Sequence, residues 1–120
     1  MDLELAARRL SELGNPTRLS IFRLLVKAGP GGLAVGEIQA RLGIPASTLA
    51  FHLRGLVVAG LVGQERQGRT VRCRPRYETL DQVIAFLQAE CCTGFGDAAG
   101  ARAGADPAME AAGAGAEVPA

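Results

Sequence analysis

An α+β fold, mainly α, in the order α-α-α-α-β-β-α is predicted by three observations. Apolar residues recur at helical spacing through the first 60 residues and again from Leu80 to Leu87. Glycine and proline interrupt these stretches at Gly14, Gly29-Pro30-Gly31-Gly32, Gly43 and Gly60. Residues 61–76 read instead as two strands around a Gln67-Gly68-Arg69 tip. At 120 residues the chain is one domain's worth of sequence.

Leu3, Ala6, Leu10 and Leu13 form the stripe of a first helix that Gly14 ends. Asn15-Pro16 restarts the chain, with Asn as cap and Pro at the first helical position. Leu19, Ile21, Phe22, Leu24, Leu25 and Val26 cover most of the second helix, which makes it the centre of a small core. A short helix from Val35 to Leu42 and a longer one from Ala46 to Ala59 are joined by a tight turn at Gly43, the spacing of a helix-turn-helix. Leu61 to Arg66 and Thr70 to Arg76 follow as a two-stranded hairpin. Thr79 with Gln82 three residues on predicts a capping box, and the last helix runs from about Leu80 to Glu90 with Leu80, Val83, Ile84 and Leu87 on one face. The first and last helices carry more apolar surface than one small core needs, which predicts a homodimer formed through them.

The formal net charge of +1 hides a split. Residues 97–120 hold 11 Ala, 4 Gly and 2 Pro, and Arg102 against Asp97, Asp106, Glu110 and Glu117 leaves them at −3. That composition cannot offset its ordering entropy and predicts a disordered acidic tail. Residues 1–96, the expected folded domain, therefore carry +4. No apolar run approaches the ~18 residues of a membrane span, and no signal-peptide core is present, so a cytoplasmic protein is expected. Three cysteines, an odd and small number, fit a reducing compartment rather than a disulfide scaffold.

On a helical wheel of residues 46–59, Leu49, Leu53, Leu56 and Val57 group on one side. Ser47, Phe51 and Arg54 lie opposite, with Thr48 and His52 on the flanks. Such a face suits a DNA major groove: Arg bonds guanine, hydroxyls bond bases or phosphates, and Phe meets a thymine methyl. The hairpin adds Arg66, Arg69, Arg72, Arg74 and Arg76 with no acid among them, and a basic hairpin directly after a helix-turn-helix makes a winged helix-turn-helix whose wing grips phosphate. A strand edge charged only against aggregation would need one or two arginines, not five.

Asn15-Pro16-Thr17-Arg18-Leu19, Gly36-Glu37-Ile38, Ser47-Thr48-Leu49-Ala50-Phe51-His52-Leu53 and Ala59-Gly60-Leu61-Val62 together resemble the ArsR/SmtB family of winged-helix repressors over about residues 3–94. The resemblance implies a homodimer on a palindromic double-stranded operator, released by a metal or metalloid. It also implies Ser47, Thr48, His52 and Arg54 as DNA contacts, with Ala50 where many members have a serine.

Cys73 lies in the second strand of the hairpin, and Cys91 falls on the line of Leu80, Ile84 and Leu87, so it is expected to point inward near Cys73. Three thiolates without a nearby His or carboxylate form a soft, low-coordinate site, and a monomethylated trivalent metalloid needs only two. The bland alternative makes Cys73 and Cys91 small core residues. Glu90-Cys91-Cys92-Thr93-Gly94, with Cys73 eighteen residues before the pair, resembles arsenic-responsive members of the family. That implies Cys73, Cys91 and Cys92 as ligands for As(III), inorganic or methylated, with Sb(III) as a further candidate. The negative end of the last helix disfavours thiolate at Cys91 and Cys92, whereas Arg72 and Arg74 flank Cys73 and favour it. A second reading keeps the fold and makes a redox switch by a disulfide between Cys73 and Cys91 or Cys92. No enzyme is expected: there is no C-x-x-C, and the one histidine sits in the helix-turn-helix, away from any cysteine.

Overall fold

Helix α1 spans Leu3–Leu13 and starts where the Asp2 carboxylate accepts the Leu5 N–H at 2.8 Å. Helix α2, Pro16–Ala28, starts the same way, with Asn15 Oδ1 accepting the Arg18 N–H at 3.0 Å. Strand β1 (Leu33–Ala34), helix α3 (Val35–Leu42), helix α4 (Ala46–Val58), strands β2 (Val62–Gln67) and β3 (Thr70–Pro75), and helix α5 (Tyr77–Gln88) follow. The computed structural model describes residues 1–96, so the expected acidic tail, 97–120, lies outside the described residues. The chain divides into two units, Met1–Leu87 and the residues from Gln88 onward.

The core of the first unit is built where three helices meet the sheet. Ile21, Phe22 and Leu25 of α2, Ile38 of α3, and Leu49, Leu53 and Leu56 of α4 are buried together with Leu61, Val62 and Cys73. Each large side chain closed off in this way stabilises the fold by about 1.5–3 kcal/mol. Arg9 ties α1 across this core: its Nε donates to the Ala59 carbonyl at 3.0 Å and its Nη1 to Gln82 Oε1 at 3.3 Å. The architecture is the expected winged helix-turn-helix, with α3 and α4 as the paired helices and β2–β3 as the wing.

Two details correct the sequence reading. The sheet has three strands in the order β1-β3-β2, all antiparallel, rather than two. β1 pairs Leu33 with Cys73 and Ala34 with Arg72. It is too short to show an alternating pattern, and its pairing partner is far along the chain. Gly32 makes this approach possible: its φ is +66°, and a Cβ there would strike the Cys73 carbonyl and the Arg74 side chain.

The last helix also begins earlier than its capping pattern predicts. Thr79 is a buried first-turn residue, and the Arg76 carbonyl accepts the Thr79 and Leu80 N–H groups. Within α5, Val83 is buried and Leu80 packs against the core, but Ile84 and Leu87 are exposed. Leu3 and Leu10 of α1 are exposed as well.

Candidate nucleic-acid interface and thiol groups

α4 separates its two faces as its wheel predicts. Leu49, Leu53 and Leu56 are buried, Ser47, Phe51 and Arg54 are exposed, and Thr48 and His52 are half-buried. Phe51 leaves 66% of its surface open and meets the His52 ring edge-on, with centroids 5.2 Å apart. An exposed aromatic ring beside Ser, Arg and His offers apolar contact and hydrogen bonding to base edges on one surface.

Behind this face lies a network that the sequence reading did not identify. Arg18 Nη1 stands 3.2 Å from His52 Nδ1. Arg18 Nε donates to the Glu12 carbonyl at 2.9 Å and lies 3.0 Å from Glu12 Oε1. Because the Nε–H is aimed at the carbonyl, the Glu12 carboxylate is held by charge rather than by a well-angled hydrogen bond. That carboxylate sits directly over Gly55, where a Cβ would collide with Glu12 Oε1. A glycine inside a helix costs about 1 kcal/mol relative to Ala, and here it leaves room for the Glu12 carboxylate. The only hint in the sequence was Arg18 in the first turn of α2, inside the Asn15–Leu19 motif.

The wing arginines divide into two groups. Arg66 and Arg69, at the tip, are exposed, and their side chains have no hydrogen-bond or ion-pair partner among the described residues. Arg72, expected to contact phosphate, is engaged at the root of the wing through its Nη1. Its Nη1 donates to the Gly31 and Gly32 carbonyls at 3.2 and 3.3 Å and lies 4.0 Å from Glu37 Oε1. Arg74 donates to the Pro30 carbonyl at 3.1 Å and to Glu65 Oε1 at 2.7 Å. The hydrogen bond and then the charge of Arg74 hold the Glu65 carboxyl below the ordinary carboxylate range. Strand alternation places arginines on a common face but does not show what stands opposite them, and here the 30–32 turn does.

The thiols occupy contrasting settings. Cys73 has no exposed surface and pairs with Leu33 on one side and Gln64 on the other. Burial pushes its thiol up from the usual range, opposed in part by the Gln64 amide 3.6 Å from Sγ. The expected help from Arg72 and Arg74 does not enter, since successive residues of a strand point to opposite faces and both guanidinium groups turn away from the buried thiol. Cys91 is exposed rather than inward. α5 ends at Gln88, and Glu90 at φ 63° and Cys92 at φ 66° turn the chain, so the helical wheel cannot be extended to residue 91. The Sγ atoms of Cys91 and Cys92 are 3.0 Å apart. Among the described residues no group of three or more His, Cys, Asp or Glu is placed to hold a metal ion.

This geometry can be set beside known proteins. A family model described as a helix-turn-helix domain matches residues 13–65. The nodulation protein NolR of Rhizobium meliloti is 39% identical over 86 residues, which cover 72% of this chain and 68% of that protein. The solved homodimeric winged helix-turn-helix domain of Mb0332 from Mycobacterium bovis, described as a possible ArsR-family transcriptional regulator, is 31% identical. It matches with a TM-score of 0.59 over 73% of this chain and 84% of that one. A crystal structure described as a possible transcriptional regulator for arsenical resistance is 30% identical, with a TM-score of 0.59 over 68% of this chain and 81% of that one. No helix among the described residues is long and apolar enough to cross a membrane.

Proposed function

The chain belongs to the ArsR family of winged helix-turn-helix transcriptional regulators, and on that premise we propose a cytoplasmic homodimeric repressor that trivalent arsenic releases from a palindromic operator. The observation that carries the effector half is the Cys91–Cys92 pair, two exposed thiols with Sγ atoms 3.0 Å apart. Two adjacent soft donors chelate a trivalent metalloid and offer little to a hard cation. Methylarsenite takes two thiolates. Arsenite and antimonite take a third, and Cys73 is the remaining thiol of the chain. Ligating it requires opening the sheet where Leu33, Cys73 and Gln64 meet, which couples capture of the third ligand to the wing. Every thiol that ligates gives up a proton, so the effector binds more weakly as pH falls.

For the DNA half, Ser47, Thr48, Phe51, His52 and Arg54 meet base edges and nearby phosphates in the major groove, and Arg66 and Arg69 meet phosphates. A second copy covers Leu3 and Leu10 of α1 and Ile84 and Leu87 of α5. Two reading helices then lie about one turn of DNA apart. Support comes from the homodimeric state of one relative and the arsenical-resistance description of another.

Fluorescence anisotropy on a labelled operator tests the proposal, with arsenite, methylarsenite, antimonite, zinc and peroxide added in turn. A coupling of about 2–3 kcal/mol corresponds to a 30- to 150-fold loss of affinity with an arsenical. Retained binding in all three metalloids would overturn the sensor reading. Release by peroxide alone would replace it with the disulfide switch. In Cys73→Ser, a lost arsenite response with a kept methylarsenite response assigns the two-thiol site to Cys91 and Cys92.

A further inference from the structure

We propose that Arg18 fixes the tautomer of His52 and so decides what that side chain offers to DNA. A guanidinium carries N–H donors and no acceptor. With Arg18 Nη1 at 3.2 Å, His52 Nδ1 is therefore the acceptor. The proton of the neutral imidazole then sits on Nε2. The two ring nitrogens stand on opposite sides of the ring. With Nδ1 turned back to α2, the Nε2–H is on the far side, on a residue that remains half-exposed on the reading helix.

The lock is itself braced. Arg18 is held by the Glu12 carbonyl at 2.9 Å and the Glu12 carboxylate at 3.0 Å, with its side chain only 17% exposed. The Phe51 ring meets the imidazole edge-on. Turning the ring over would replace Nδ1 with a carbon and lose the Arg18 contact. His52 is thus a donor in one direction. It matches acceptors, namely guanine N7 and O6, adenine N7, thymine O4 or a phosphate oxygen, and it rejects the amino groups of cytosine and adenine. Arg18 touches no base in this scheme and is a positioning residue. The inference rests on α4 being the reading helix and adds the chemical sense of one of its contacts.

The test has two arms on the full chain. Long-range proton–nitrogen spectra of the imidazole, at about pH 8 and so above the ordinary histidine range, read the tautomer without DNA. The wild type is expected to show Nε2–H, and Arg18→Leu a mixture of both tautomers. A wild-type Nδ1–H form, or an unchanged tautomer in a folded Arg18→Leu, would overturn the lock. If Arg18→Leu does not fold, Arg18→Lys, which keeps a donor, is expected to retain Nε2–H, and the Nδ1–H form there counts against the proposal.

The second arm selects binding sites from an operator library randomised at single positions. His52→Gln, whose amide nitrogen reaches the place of Nε2, still selects at the position His52 reads but, because its amide oxygen also accepts, admits adenine there more readily than the wild type. His52→Asn, whose amide reaches only the place of Nδ1, loses about tenfold at one position in each half-site, the scale of a single base contact. Equal preference in His52→Asn and the wild type would sink the donor role. No selective binding by the wild type would instead reject the operator reading, while the spectra still decide the tautomer.

Discussion

Cys73 and the Cys91–Cys92 pair are the same functional group in opposite surroundings. Cys73 is sealed between two strands, with its thiol held protonated by burial. Cys91 stands in an exposed turn with a second sulfur 3.0 Å away. The first setting makes sulfur a piece of core, where it packs as a small apolar group. The second leaves it open to an electrophile or a soft ion. On the proposed function the exposed pair is the one that meets an effector first, and Cys73 is the thiol whose ligation would reach the wing.

The largest expected effect concerns reactivity. With iodoacetamide at neutral pH, followed by peptide mass mapping, Cys91 and Cys92 should be modified about 100-fold or more faster than Cys73, whose exposure requires local opening. Similar rates would erase the contrast. Stability should show it next. Cys73→Ala should lower the unfolding free energy by about 1–2 kcal/mol in urea titrations, the scale of a small core deletion. Cys91→Ala should stay within about 0.5 kcal/mol of the wild type. A silent Cys73→Ala would mean that its sulfur contributes nothing to the core.

The smallest effect is the pH dependence. The folded thiol of Cys73 titrates above the unfolded one. Its contribution is therefore complete below the ordinary thiol range, about 8.5, and is lost as pH rises from there through the raised folded value. The stability gap between the wild type and Cys73→Ala should narrow over that alkaline window and remain flat below it. A gap that widened would reverse the sign assigned to burial.

The helices were legible because their signals are local: Asn15 caps where it stands, and the Leu49, Leu53 and Leu56 stripe closes on a single face. What was not legible depends on contacts between distant residues. Leu33 and Ala34 become a strand only because β3 lies beside them. Arg72 has the same sequence signature as Arg69, yet the 30–32 turn occupies one and leaves the other open. Cys91 continues the apolar line of α5 on paper, but the helix stops before reaching it. In the candidate site, the exposed residues of α4 followed from periodicity. The guanidinium that sets the direction of His52 lies 34 residues away in sequence and carries no periodic signal.

Gly32 has a consequence that is best put in genetic terms. If the chain represses as proposed, a selection for loss of repression samples changes without regard to where the DNA lies. Substitutions on α4 or at the wing tip would be recovered because they delete contacts. Position 32 belongs in the same collection although it is 40 residues before Arg72. Any side chain there meets the Cys73 carbonyl and the Arg74 stem, and the wing strand has to yield. In a repressor of the proposed kind, the mutational target for constitutive expression extends beyond the proposed DNA-reading residues into the turn that packs on the wing strand.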